Sequence, residues 1–421
     1  MDLKKELKLA DVFSITVGSM ISAGLFVIPG IAYARAGPAS ALAYLLAAVI
    51  ALPTMLSAAE LITVMPRAGG VYYFVSRSLG GRMGTIAGFA RWFAMSLKSA
   101  FSLIGIGIYF AFAAGIGAIY ISVTLCLFFV FINLLGIKLV GRAQTLFTIF
   151  LAGILLFLAF CGMNWLDMER FSPFAPHGIS SIFSTAGFVF VSYGGMLAIT
   201  GLAEEVKEPE TNIPLGMLLS LAFTGVIYTL TVFVIIGSLE PETLRNTLAP
   251  VSEVASISLG RFGILLATTA ALLAFITTAN AGIASASRYP LAMSRDGLVP
   301  SFFKKVSSYR GIPYFSILFT GGFILLAMVF LSIEVLVETA SALLMLTYIL
   351  TNLAVIILRK KKNPAYQPRF SAPLYPWIQL FGIGGLLLLI VNTSFLSLMI
   401  SLLFLGISFA WYQFYARHKA H

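Results

Sequence analysis

Two stretches of this chain are composed so that a helix can come apart. Gly18-Ser19-Met20-Ile21-Ser22-Ala23-Gly24 lies near the N-terminus and Ser192-Tyr193-Gly194-Gly195 near the middle. A glycine costs up to about 1 kcal/mol in a helix interior and frees the backbone to leave helical geometry. An interrupted helix presents free N–H groups at the start of its second half and free C=O groups at the end of its first. Those two edges suit a ligand with one anionic and one cationic end. A carboxylate would sit on the N–H groups of Ser22, Ala23 and Gly24, at the positive end of the second half-helix. An ammonium would face the carbonyls of Ser19, Met20 and Ile21, together with those of the 191–195 segment around Val191, Ser192, Gly194 and Gly195. An α-amino acid is such a zwitterion, and no charged side chain is needed to hold it. The competing reading is that these small residues only let helices pack closely.

Open backbone of this kind must be shielded, and the rest of the chain supplies the shield. Of its 421 residues 59% are hydrophobic and 10% charged, against about a quarter charged in a soluble domain. Apolar runs long enough to cross about 30 Å of hydrocarbon recur from Asp11 onward. They predict an all-α membrane protein with twelve transmembrane helices at 11–35, 39–65, 83–112, 116–136, 144–163, 181–201, 214–238, 255–287, 313–331, 333–357, 374–391 and 395–413. One transmembrane domain fills 1–421, its partner is the lipid bilayer, and the first and sixth spans carry the two glycine-rich stretches. Lipid excludes unwound backbone unless it faces protein or a cavity.

The net charge of +11 is distributed unevenly. Of the 27 Lys and Arg, 22 fall on the side of the N-terminus, Arg91 among them, and only Arg35, Arg170, Arg245 and Arg261 fall on the other. The positive-inside rule therefore predicts a cell membrane protein with both termini cytoplasmic, and the charge implies no nucleic acid. The basic-then-apolar start has the outline of a signal peptide, but removing it would leave an odd number of spans and reverse the charge asymmetry, so it is read as a working helix. Cys126 and Cys161 lie in apolar runs and read as small hydrophobes. His177, His418 and His421 fall outside the spans, so neither a metal site nor a cofactor is predicted. No feature sets an oligomeric state.

Spans one and six hold the same place in two successive sets of five. An odd repeat number inverts one half relative to the other, and paired interruptions at matching positions point to a binding site at the membrane midplane. The halves are 11–163 and 181–357, with 374–413 as two further helices.

Four motifs resemble the amino acid–polyamine–organocation (APC) superfamily permeases over nearly the whole chain. Gly18 to Phe26 is similar to the family's glycine-rich first helix, with Ser22 where a glycine is usual. Glu60-Leu61 with Pro66-Arg67-Ala68-Gly69-Gly70-Val71-Tyr72 is similar to the signature after helix two. Ala203-Glu204-Glu205-Val206-Lys207-Glu208-Pro209 resembles the acidic exit from helix six, and Arg295-Asp296-Gly297-Leu298-Val299-Pro300 the turn after helix eight. The resemblance implies a LeuT-like five-plus-five inverted repeat with two accessory helices. It also implies alternating access and secondary active transport of amino acids or related amines, with no enzymatic reaction. In relatives that take cationic substrates an acidic residue can occur two places beyond the glycine matching Gly195; here that residue is Leu197. A neutral substrate, small or aliphatic, is favoured over a cationic amino acid or a polyamine, with Ser99, Tyr193 and Met196 as lining candidates. A channel or passive receptor is a remote alternative.

Lys98 stands in mid-span three, where an ammonium is costly and marks a functional candidate. Many relatives place a lysine in helix five, at the position of Leu151 here, where it fills the site of a coupling sodium ion. Three readings stay open: Lys98 supplies that charge, a coupling H+ or Na+ acts near Thr277, Thr278 and Asn280, or substrates exchange without ion coupling. Glu60, Glu204 and Glu205, at the ends of spans two and six, are candidates to close a gate by pairing with Arg67 or Arg82.

Overall fold

The computed structural model describes residues 6–65, 70–114, 117–135, 142–307, 312–361 and 366–418. Arg67 and most of the Pro66–Gly70 motif lie outside the described residues, as do Lys4, Lys5, Lys138, Arg310, Lys362, Lys419 and His421. Within the described residues regular structure is helical, apart from one isolated parallel bridge between Leu7 and Val206. The first half comprises α1 (Leu9–Met20), α2 (Ala23–Phe26), α3 (Ile28–Ala36), α4 (Ser40–Val64), α5 (Gly70–Leu79), α6 (Gly81–Ala114), α7 (Ala118–Leu135) and α8 (Arg142–Gly162). The second comprises α9 (Ile179–Val189), α10 (Pro209–Ser238), α11 (Pro241–Asn246), α12 (Pro250–Ala286), α13 (Arg288–Arg295), α14 (Tyr314–Phe330), α15 (Ile333–Lys360), α16 (Trp377–Val391) and α17 (Phe395–Phe414).

Among the described residues, nine helical runs are long and apolar enough to cross a membrane. Leu9–Met20, Tyr314–Phe330 and Trp377–Val391 are shorter apolar helices. Helix is the expected solution because hydrocarbon offers no partner for backbone N–H and C=O groups, which must then be satisfied within the segment. Among the described residues, each of the twelve predicted spans is occupied mainly by helix. The first consists of three pieces, α1, α2 and α3. The sixth is α-helical only to Val189 and then continues in 3-10 turns through Phe190–Tyr193 and Ala198–Gly201. The long run Pro250–Ala286 bends at Gly260, whose φ of +59° lies in the left-handed region that glycine tolerates.

Packing follows a regular order. α4 lies against α10, α6 against α12 and α7 against α14, while α3 meets α9 and α2 meets the Phe190–Tyr193 turn. α6 and α15 run through the interior, buried over most of their length. Phe128 and Phe131 of α7, Phe381 of α16 and Leu403 of α17 are exposed on the outside. An apolar exterior of this extent is suited to lipid and would aggregate in water.

The structure corrects one charge assignment. Arg91, counted among the cations of the N-terminal side, is only 4% exposed. α6 begins at Gly81, so Arg91 sits ten residues into it, about 15 Å along the axis at 1.5 Å per residue. It is an interior cation.

Candidate functional site

The first break starts where α1 ends at Met20. Ile21 is extended (φ −65°, ψ 106°), although its N–H still donates to the Val17 carbonyl at 2.8 Å. The carbonyls this turn leaves open are taken up by side chains from three other elements. Lys98 Nζ donates to the Ser19 carbonyl at 3.2 Å, Tyr228 Oη to that of Met20 at 2.6 Å, and Tyr44 Oη to that of Gly24 at 2.8 Å. Tyr109 Oη reaches the Phe26 carbonyl at 3.5 Å. Side-chain satisfaction is what an orphaned helix end requires away from water.

The second break follows the same logic. Beyond Val189 the sixth span keeps i→i+3 bonds, Gly194 N to the Val191 carbonyl at 3.0 Å and Met196 N to that of Tyr193 at 3.1 Å. Ser341 of α15 splices the transition: its hydroxyl donates to the Phe188 carbonyl at 3.0 Å and accepts from Val191 N at 2.9 Å. The Gly194 carbonyl accepts from Arg91 Nη2 at 3.2 Å and Tyr348 Oη at 3.4 Å. Tyr193 Oη donates to the Tyr44 carbonyl at 2.9 Å. Tyr44, Tyr193 and Tyr228 form a fully buried group whose rings meet in pairs at 5.4 and 5.8 Å.

The two breaks touch. A Cβ on Gly24 would strike the Ser192 side chain, and one on Gly195 would strike the Ser19 carbonyl. Ser22, Ser192, Tyr193 and Met196 are buried in this arrangement, and Ser192 Oγ has no hydrogen-bond partner. Ser19 Oγ donates back to the Ile15 carbonyl, so its main chain is what faces the second break. The side chain of Ala23 lies outside the described ones.

Lys98 and Arg91 lie seven residues apart on α6, so they share a face about 10 Å apart along the axis. Each holds a main-chain carbonyl of one break. Arg91 also lies 5.4 Å over the Tyr348 ring, and its Nε and Nη1 are buried without a partner. Among the described residues neither cation forms an ion pair; the buried carboxylates Glu60 and Glu338 are paired with Arg359 and Arg35.

Other expected residues are dispersed. Ser99 Oγ donates to the Met95 carbonyl at 2.9 Å, and the side chain packs against Gly282 of α12. Thr277 Oγ1 donates to the Leu273 carbonyl at 2.8 Å, Thr278 Oγ1 is buried without a partner, and Asn280 accepts from Asn133 of α7 at 2.8 Å. The structure does not assemble these three: at 100° per residue, positions 278 and 280 fall on nearly opposite faces of α12. Leu151 is buried in α8.

The expected pairing of Glu60 is also corrected. Its fully buried carboxylate accepts from Arg359 Nε at 2.8 Å and Nη2 at 2.5 Å, from Tyr366 Oη at 2.6 Å and from Ala372 N at 2.8 Å. Arg82 instead lies 5.6 Å over Phe409. A buried carboxylate needs several donors, and the 366–372 connection brings two of them. Burial and the Glu60 carboxylate push the Tyr366 phenol well above its usual pKa, so it remains a donor. Glu205 acts through its main chain: its carbonyl accepts from Glu6 N at 2.9 Å and Leu7 N at 3.0 Å, while Lys207 N donates to the Leu7 carbonyl at 2.8 Å. Glu204 sits in the same 3-10 turn, and its side chain lies outside the described ones. At the opposite end of the bundle Arg35 of α3 pairs with Glu338 of α15 and lies 4.0 Å over Phe188 of α9. Tyr44, Arg91, Tyr228, Ser341 and Tyr348 escaped the sequence reading; their signal was a polar tip inside an apolar run, which must find a partner in lipid.

A family model described as "Amino acid permease" matches residues 7–413. The chain belongs to the amino acid permease family. This permease is thus a multi-pass membrane transporter of amino acids and not an enzyme. It is 29% identical to the branched-chain amino acid permease BcaP of Bacillus subtilis, over 99% of this chain and 94% of that protein. It is 27% identical to the vacuolar cationic amino acid transporter 4 of Arabidopsis thaliana, over 88% of this chain and 65% of that longer protein. It is 26% identical to the methylthioribose transporter of Bacillus subtilis, over 91% of this chain and 87% of that protein.

Proposed function

We propose that this permease is a secondary active carrier of neutral L-amino acids, small or aliphatic, working by alternating access. The observation that carries the reading is charge. Two buried cations, Lys98 and Arg91, hold the two helix breaks, and no described carboxylate pairs with either. A cationic side chain about 10 Å from each would meet about 1.7 kcal/mol of repulsion per cation at an effective dielectric of 20. Arg91 alone disfavours it by more than about 10-fold, and Lys98 adds to this when charged. Leu197, at the position where an acid would offset this, is buried. The name of the branched-chain relative agrees with this reading, and that of the vacuolar cationic relative marks the alternative.

In this reading the amino acid's carboxylate takes the N–H groups of 22–24 and its ammonium the carbonyls of 19–21 and 191–195, once the breaks part to admit it. The chain crosses twelve times as inverted halves 11–163 and 181–357 followed by 374–413. Supporting this, each of the first four spans packs against the span five places later. With the termini cytoplasmic, the 6–7/205–207 bridge and the Glu60–Arg359 cluster close the inner side, and Arg35–Glu338 closes the outer. Lys98 stands in for the coupling charge of relatives, binding the first break from α6.

The test is a competition panel in proteoliposomes with labelled leucine. Alanine, serine, valine and leucine should compete, and arginine, lysine and putrescine should not. Uptake inhibited by the cations alone would overturn the neutral assignment.

A further inference from the structure

Outside the breaks, α6, α14, α17 and the α13–α14 connection enclose an open groove of about 690 Å³. That is within the range of ligand pockets, about 300–1,000 Å³. Its walls are aromatic and almost wholly apolar: Trp92 stacks on Phe319 at 4.9 Å, and Phe302, Phe319 and Ile407 leave 43, 47 and 52% of their surface open to the surroundings. The groove is not a soft fold in a helix surface. Trp411 on its rim donates from Nε1 to the Leu298 carbonyl at 2.9 Å, and Tyr72 beneath it donates to Asp296, so the 296–300 turn is fixed at two points.

Its margin is cationic. Lys304 and Lys305 follow directly on Phe302 and Phe303 of the wall and are exposed. Arg82 lies over Phe409, next to Ser408 of the wall, and Arg417 is exposed in the turn after α17. Asp296, the acidic group on this turn, is engaged by Tyr72. None of the four cations forms an ion pair with a described residue. An apolar trough opening outward at the end of a membrane helix bundle, with basic residues where the trough reaches the bundle's end, matches one partner: an amphiphile with acyl chains and an anionic head.

We infer that this groove is a binding site for an anionic glycerophospholipid, its acyl chain laid along Trp92, Phe319 and Ile407 and its phosphate held by Lys304, Lys305 and Arg82. A zwitterionic lipid fills the trough equally well but gains less from the margin, since each Lys or Arg near an anionic headgroup favours it by about five-fold.

Trp92 and Trp411 report on the groove directly. In a Trp165→Phe/Trp377→Phe background, the full-length protein in mixed micelles is titrated with brominated phosphatidylglycerol or brominated phosphatidylcholine, and tryptophan quenching is read. Half-quenching is expected at a mole fraction at least about ten-fold lower for the anionic lipid. Lys304→Gln/Lys305→Gln, both exposed and safe for folding, should remove most of that preference without changing the final depth of quenching. Ile407→Phe, which fills the trough, should lessen the depth for both lipids. Equal half-points for the two lipids would overturn the proposal, and so would a preference undiminished in the double glutamine variant.

Discussion

The contact between the two breaks can be tested with one methyl group. Gly195 faces the main chain of Ser19 and Met20; a Cβ there would lie 2.7 Å from Met20 N and closer still to the Ser19 carbonyl. Ordinary contact begins at 3.4 Å, so Gly195→Ala must part the breaks by at least about 0.7 Å at Met20 N. The obstacle is backbone, which cannot swing aside as a flexible side chain would. Overpacking of this kind costs about 1–3 kcal/mol, which lowers the population of the closed arrangement about 5- to 150-fold. If the closed arrangement lies on the transport cycle, turnover of Gly195→Ala in proteoliposomes should fall by about 5-fold or more at unchanged protein content. Apparent substrate affinity should weaken too, since the added methyl crowds the carbonyls assigned to the ammonium. Gly322→Ala is the matched control: no heavy atom lies within 4 Å of its Cβ, and in α14 alanine favours helix by up to about 1 kcal/mol. Flux and affinity of Gly195→Ala equal to those of Gly322→Ala would refute the claim that breaks in contact are a required state.

Three further expectations concern the groups around the breaks. Lys98→Met removes the cation on the Ser19 carbonyl; if Lys98 carries the coupling charge or proton, uptake should lose its pH dependence, and a pH profile parallel to wild type would exclude that role. Glu60→Gln leaves Arg359 without its counter-ion and should destabilise the protein by about 1–3 kcal/mol, less than a fully buried pair because Arg359 is 20% exposed. Thermal unfolding of Glu60→Gln, Arg359→Met and the double variant checks this, the double being expected to lose less than the two singles together. Leu7→Cys/Val206→Cys places two thiols across the parallel bridge, within disulfide reach; oxidation should stop transport and reductant should restore it, whereas transport unchanged on oxidation would show that the bridge never opens.

How much of this was legible depended on whether a residue's role was local. Apolar runs fix helices because lipid leaves the backbone no alternative, and Gly18–Gly24 and Ser192–Gly195 mark interruptions through their own conformational freedom. The pairings of Glu60 and Asn280 were not legible, because each partner arrives from a distant part of the chain: Arg359 and Tyr366 for one, Asn133 for the other. Glu205 was identified as a gate candidate for its carboxylate, yet the link it makes is through a main-chain carbonyl that any residue could offer. Arg91 illustrates the remaining difficulty. A charge toward a helix end is ordinarily a solvated one, but Arg91 stands eight residues into the span predicted at 83–112, and its place in α6 buries it. Once there, it adds a second argument for the neutral substrate that Leu197 favours. With Lys98 alone, the breaks would carry one cation that a substrate carboxylate could offset; with Arg91 seven residues away, a carboxylate offsets only part of the charge. A substrate bringing a further positive group would then add to an imbalance already buried, and the side chain admitted between the breaks should therefore be uncharged.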